Sequence, residues 1–281
     1  MSHPLLECSA IDQPPDEYLR SVGMVFAEFG PQTQDSGNVS CGIQVGDERY
    51  FVKTAGIPDD PRPYLGHAAR VELLRNAARL SASVTHRLLP PLLGLIESPG
   101  GPLLVSPWLD GELLGVSREQ RDDPQSSFQR FRRLPAPTLH TCLEAVFDLH
   151  VILARAGWIA GDFYDGSLLY DFAAGRLWAI DLDSYHLGTF RNDMGRMFGA
   201  TRFMAPEEFE LGALIDEQTT VFVMGRTALV FLSNGTLDPQ PFRGPRALFD
   251  VAAQACEPER ALRFASVAAF HHAWRAASLA A

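Results

Sequence analysis

The sequence predicts an α+β chain in two lobes: a small strand-rich lobe with one main helix over residues 25–109, and a larger helical lobe over residues 110–281. Residues 1–24 form a lead-in. Two patterns predict this. Up to Pro107, short apolar runs alternate with clusters of Gly, Pro, Asn and Asp, as strands alternate with turns. Beyond Asp110, Leu139, Leu143, Val146, His150 and Leu153 recur at steps of 4, 3, 4 and 3 along one helical face. At 281 residues the chain can bury a core in each lobe.

Taken in order, the lead-in is rich in Pro, Asp and Glu, with one helical turn expected around Glu17–Arg20. Val25–Phe29 reads as a strand. Pro31–Asn38 is a polar turn, followed by strands over Ser40–Val45 and Arg49–Lys53 that flank Gly46-Asp47. The Ala/Leu/Arg/Glu-rich stretch Gly66–Leu80 is helical, and Pro90-Pro91 ends the segment after it. Leu92–Glu97 and Leu103–Pro107 read as a hairpin around Pro-Gly-Gly. Residues 114–136, with Arg130, Arg132 and Arg133, read as a solvated linker. The short apolar runs Ile159–Asp171 and Leu177–Leu182 suit paired strands. Val221–Leu232, apolar nearly all round, suits a buried central helix, and Ala247–Cys256 and Ser266–Ala277 close the chain as amphipathic helices.

Composition narrows the function. A net charge of −10 argues against binding a phosphate backbone over a broad surface. The cysteines, Cys8, Cys41, Cys142 and Cys256, are far apart and form neither a zinc pattern nor a disulfide framework. With no leader-like start and no long apolar run, the expectation is a cytoplasmic protein with no membrane or nucleic-acid partner. Of the 24 Lys+Arg residues only Lys53 is lysine. Lysine is a compact point charge that fits inside a pocket, whereas guanidinium is a bulky fork.

Lys53 ends Tyr50-Phe51-Val52-Lys53 in a strand. It is followed by Glu72 in the helical Arg70-Val71-Glu72-Leu73, then by Asp162 in Gly161-Asp162-Phe163-Tyr164, and by Asp181 in Ala179-Ile180-Asp181-Leu182-Asp183. An inward lysine, one helical acid and two spaced aspartates are the charged groups that phosphoryl transfer needs. The sequence resembles the protein-kinase-like superfamily, and specifically bacterial relatives of eukaryotic Ser/Thr kinases. Two further stretches carry the resemblance. Gly199-Ala200-Thr201-Arg202-Phe203-Met204-Ala205-Pro206-Glu207 is similar to the family's GTxxYxAPE segment, and Glu257-Pro258-Glu259-Arg260 resembles its late DPxxR.

The resemblance implies a bilobal kinase-like fold and an ATP- and Mg²⁺-dependent phosphotransferase acting on a hydroxyl of a protein or small molecule. Position by position, it implies that Lys53 holds the nucleotide phosphates and Glu72 holds Lys53. Gly37 and Ser40 would lie at the phosphate-covering loop, although Gly37 alone reads equally well as a hairpin turn. The Ser106 carbonyl and the Trp108 N–H would meet adenine, and Glu112 the ribose. Asp162 would be the catalytic acid or base. Asp181 would bind metal, with Ser167 or Asp165 where the family places a ligating Asn. Asp183 is a second ligand or a cap on the next turn. Glu207 and Arg260 would form a buried ion pair.

Departures from the family qualify the expectation. The arginine that precedes the catalytic Asp is Gly161 here, so a phosphorylated activation segment has no sensor. The lysine and threonine that position a peptide are Tyr164 and Ala200, which implies an acceptor placed differently, by Thr201, Arg202 or its own groups. Two alternatives remain: a pseudokinase that binds or scaffolds without transfer, favoured by Ser167, the reduced glycine loop and the altered Asp-Leu-Asp; and a small-molecule kinase resembling aminoglycoside phosphotransferases, which lack the Ala205-Pro206-Glu207 segment.

Overall fold

A computed structural model describes residues 3–30, 37–60 and 62–279. The chain is α+β and divides into two units, one comprising the residues up to Thr85 plus Pro90–Asp110, the other His86–Leu89 plus everything from Gly111. Most of the turn expected at Pro31–Asn38 lies outside the described residues.

The first unit contains helix α1 (Pro15–Val22), strands β1 (Met24–Phe29), β2 (Val39–Val45) and β3 (Glu48–Thr54), helix α2 (His67–Ser83), and strands β4 (Gly94–Ile96) and β5 (Leu103–Pro107). The strands form one antiparallel sheet in the order β1-β2-β3-β5-β4. Side chains alternate across a strand, so Tyr50 and Val52 enter a core with Cys41, Ile43, Leu103 and Val105, while Phe51 and Lys53 point to the opposite face. The lead-in belongs to this core. Leu5 and Leu19 are buried in it, Tyr18 donates its hydroxyl to the Pro4 carbonyl, and residues 9–11 bond to Glu97. Helix α1 is longer than the single turn expected because Tyr18 and Leu19 bury its inner face.

In the second unit β6 (Glu112–Leu113) is followed by α3 (Ser127–Arg132), α4 (Ala136–Arg155), β7 (Trp158–Ile159), β8 (Leu168–Asp171), β9 (Arg176–Ala179), β10 (His186–Leu187), β11 (Phe190–Arg191) and β12 (Leu214–Ile215). Helices α5 (Glu217–Ser233), α6 (Arg246–Ala255) and α7 (Val267–Leu279) complete it. Strand β8 pairs with both β6 and β9, and β7 with β10. Helix α5 is buried along nearly its whole length, and α4, α6 and α7 pack on it. Residues 114–136 are not a solvated linker. Leu114, Phe128 and Phe131 are completely buried, and the Phe131 ring packs edge-on to Phe231 of α5. Among the described residues no helix is long and apolar enough to cross a membrane.

An ion-pair cluster ties the segment before α5 to the chain beyond α6: Glu207 meets the expected Arg260 and, more deeply buried, Arg263. Glu207 meets Arg263 through two bonds, Oε1 to Nη1 at 2.7 Å and Oε2 to Nη2 at 3.0 Å. The Arg263 side chain is fully buried. Arg260 adds a bond of 2.8 Å to Glu207 Oε1, but it is partly exposed and also pairs with Asp216 at 2.5 Å. Burial alone would raise the Glu207 pKa, and the Arg263 hydrogen bonds with their charge reverse that, holding it below the ordinary value. Removing one partner of a buried pair strands the other charge. Arg263→Leu should therefore cost about 3–5 kcal/mol of stability, and Arg260→Leu clearly less. Denaturant melts of the two variants check the order, and equal losses would contradict it.

Candidate active site

The two aspartates singled out from the sequence share an uncommon backbone. Three non-glycine residues among those described adopt left-handed φ: Asp162 (54°), Asp181 (59°) and Asn234 (58°). Asn234 caps the C-terminus of α5, an ordinary place for this conformation. Asp162 and Asp181 cap no helix, and residues held in such regions cluster where geometry serves function.

Gly161 explains how the Asp162 loop is set. A Cβ there would lie 2.2 Å from the Ser184 carbonyl oxygen, so only glycine lets residues 160–162 lie against residues 181–185. An arginine before Asp162 is sterically excluded. Behind the loop, Ala160 N–H donates to Thr220 Oγ1 of α5 at 3.1 Å, and Phe163 is buried edge-on against His150 at 4.7 Å. His150 Nδ1 lies 2.7 Å from the Val146 carbonyl, which can only accept, so Nδ1 carries the proton. Nε2 therefore accepts from the Tyr185 hydroxyl at 2.7 Å. Burial brings His150 down to about 4, so the imidazole is neutral.

Carboxylates crowd this part of the unit. Burial first, then the charge of Asp181, push Asp162 up to about 7, with Arg196 opposing. Glu208, not anticipated from the sequence, is 3% exposed and accepts from the Ala205 N–H at 2.6 Å. Burial, helped by the charges of Glu207 and Asp162, lifts it to about 7. Asp181 is exposed and Asp183 buried. Among the described residues no group of three or more His, Cys, Asp or Glu is arranged to hold a metal. Magnesium needs fewer, since it is held by one or two carboxylates with waters and phosphate oxygens. Asp162 and Asp181, each within reach of the other's charge, fit that requirement.

Several expected ligands are engaged elsewhere. Ser167 is buried in the turn after Asp162, its hydroxyl 3.4 Å from both the Asp162 carbonyl and the Tyr164 N–H, so it braces the loop. Asp165, 2% exposed, forms an ion pair with Arg202 and is no free metal ligand. That pair joins the 162–167 loop to the 199–205 segment. Glu112 is held by Arg130, whose Nη1 lies 2.7 and 2.8 Å from its two oxygens.

In the first unit, Lys53 of β3 sits opposite Ser40 on β2 and Leu104 on β5. Glu72 does not hold it. Its carboxylate is exposed and pairs with Arg79 at 2.6 Å, because the inner face of α2 is built from Arg70, Leu74 and Leu80. Arg70, wholly buried, instead ties α2 to the loop ends: it donates to the carbonyls of Gly37 (2.5 Å), Ala55 (2.7 Å) and Ile57 (2.9 Å). Trp108 N–H is already bonded to the Arg49 carbonyl at 3.0 Å and is not free for adenine. Its ring joins Phe26 and Phe29 at 4.8 and 6.3 Å, and Phe29 lies 6.2 Å from Phe51. An aromatic platform thus shares the sheet face of Lys53.

The raised Asp162 has a consequence for stability. Between the ordinary carboxylate range and about 7, the folded chain binds a proton at Asp162 that the unfolded chain has lost, so this group lowers stability as pH rises through that window. Asp162→Asn removes the penalty, and Asn tolerates the left-handed backbone. Without divalent ions, the variant should melt several degrees above wild type at pH 8, the difference being at most about 4 kcal/mol, and the gap should close near pH 4. A constant gap would contradict the assignment.

No family model matches the chain, and a search of curated proteins finds no match.

Proposed function

We propose that the protein is a Mg²⁺- and ATP-dependent phosphotransferase of bilobal, protein-kinase-like fold, acting on a hydroxyl of a dedicated protein or small molecule. The observation that carries the reading is the Asp162–Asp181 pair, in left-handed backbone and in mutual electrostatic contact. Asp162, in its ionised form, accepts the proton of the acceptor hydroxyl. Asp181, with Asp162 as neighbour, would hold Mg²⁺, whose chemistry there would be to offset negative charge on the phosphates. Lys53 supplies positive charge to the nucleotide phosphates, and the aromatic platform beside it offers a stacking surface to a base. The buried neutral His150 and Tyr185 fix the wall behind Asp162 and leave it the proton acceptor of this loop.

A second reading, a pseudokinase that binds nucleotide without transferring phosphate, is favoured by two observations. Glu72 pairs with Arg79 instead of Lys53, and the Trp108 N–H is occupied.

Incubating the full chain with Mg-ATP and a cell extract separates the two. The phosphotransferase reading expects consumption of ATP that falls by about 10²–10⁴-fold in Asp162→Asn, and falls also in Lys53→Met and Asp181→Asn. Nucleotide binding that needs Lys53 without turnover would establish the second reading. No binding and no turnover would remove both.

A further inference from the structure

The two strands that carry Ser40 and Lys53 end at one buried guanidinium. Val39 of β2 pairs with Thr54 of β3, and Ser40 with Lys53, so the open end of this hairpin runs from Gly37 on one side to Gly56 on the other. Thr54 closes that end: its Oγ1 donates to the Val39 carbonyl at 2.9 Å and accepts from the Gly56 N–H at 3.2 Å. Beyond it stands Arg70 of α2. Its Nη1 donates to the carbonyls of Gly37 and Ala55, one from each strand end, and its Nη2 to that of Ile57.

The junction leaves no slack. Gly37 and Gly56 both adopt left-handed φ, 83° and 70°. A Cβ on Gly56 would lie 2.3 Å from the Gly37 carbonyl oxygen and 2.9 Å from Arg70 Nη1; one on Gly37 would lie 2.3 Å from Pro63 Cβ and 3.2 Å from the same nitrogen. Two glycines thus let both strand ends close on the guanidinium.

Packing α2 on the sheet does not by itself call for a cation. Arg70 is wholly buried, its bonds go to backbone carbonyls, and Asp60, the carboxylate whose charge reaches it, is itself bonded to Arg62 at 2.8 Å. Burying a cation without a bonded carboxylate is costly, and an apolar side chain such as Leu74 packs without that cost. What guanidinium adds is direction: its rigid planar fork donates along fixed lines. It therefore sets the two strand ends relative to each other and to α2. Glu72, expected to link α2 to Lys53, pairs with Arg79 instead.

We propose that Arg70 is a positioning residue for the phosphates of a nucleotide: by tying Gly37, Ala55 and Ile57 to α2 it fixes the backbone at Ser40 and Lys53, without touching the nucleotide itself. This rests on the reading that Lys53 meets the nucleotide phosphates.

Calorimetric titration of the full chain with Mg-ATP and, separately, with adenosine tests the role. Arg70→Lys keeps the charge and removes the fork. It should weaken Mg-ATP binding by about tenfold or more and adenosine binding by less than about twofold, because only the phosphates depend on the clamp. Gly56→Ala, which wedges the same junction and leaves Arg70 in place, should show the same selective loss, and it replaces Arg70→Lys if that variant does not fold. Arg75→Gln, which breaks an exposed pair with Glu97 on the same helix, should bind both ligands as wild type does. An equal loss for both ligands would make Arg70 structural only and overturn the proposal. Unchanged Mg-ATP binding in the Arg70 and Gly56 variants, or the same selective loss in Arg75→Gln, would also overturn it. In each of these cases wild type binds Mg-ATP and the nucleotide reading stands; a wild type that binds neither ligand overturns that reading together with the role of Arg70.

Discussion

The Ser184 carbonyl oxygen stands 2.2 Å from where a Cβ on residue 161 would be, and the second unit's chemistry is arranged around that contact. Because the 160–162 and 181–185 segments touch, the charge of Asp181 reaches Asp162 and raises its pKa, and both aspartates are turned into left-handed backbone. Tyr185, on the segment that presses against Gly161, reaches back to His150 of α4 and closes the site from behind. A larger residue at 161 would separate the segments and with them the carboxylates.

Two ion pairs then fix the 199–216 stretch. Glu207 with Arg263 holds one end to the region before α7, and Asp165 with Arg202 holds the other to the Asp162 loop. Both pairs bury charge, and such pairs cost desolvation that only good geometry offsets. Glu207 meets this condition with two direct bonds and a third from Thr219. Asp165 does so less completely: burial still raises its pKa although Arg202 stands against it. With Glu207 held by Arg263 and Asp165 by Arg202, the segment is held in place at both ends.

Much of the architecture was legible because it rests on local periodicity. The strands at 24–29, 39–45, 48–54 and 103–107 and the helices at 136–155 and 217–233 follow from apolar spacing and turn residues. Asp162 and Asp181 were legible from spaced acids in short apolar runs. The pairings were not. Arg260 and Arg263 are both arginines beside the same short helical turn, and only the burial of Arg263 against Phe222 decides which takes Glu207 bidentately. Glu72 is a single acid on a helix, but which face of α2 turns inward depends on Leu74 and Leu80 meeting the sheet. Nor did the polar look of residues 114–136 reveal Phe128 and Phe131 as core, since a few aromatics in an arginine-rich stretch give no period.

By itself the sequence determined the α+β division, the order of the elements and the positions of the lone lysine and the spaced aspartates, because these depend on residues near one another in the chain. The tertiary structure decided which charges meet: Arg202 with Asp165, Arg263 with Glu207, Arg70 with the loop carbonyls, and the crowding of Asp162, Asp181 and Glu208. Those partners come from distant segments, and electrostatic energy depends on separation and burial in space, which no spacing along the chain encodes.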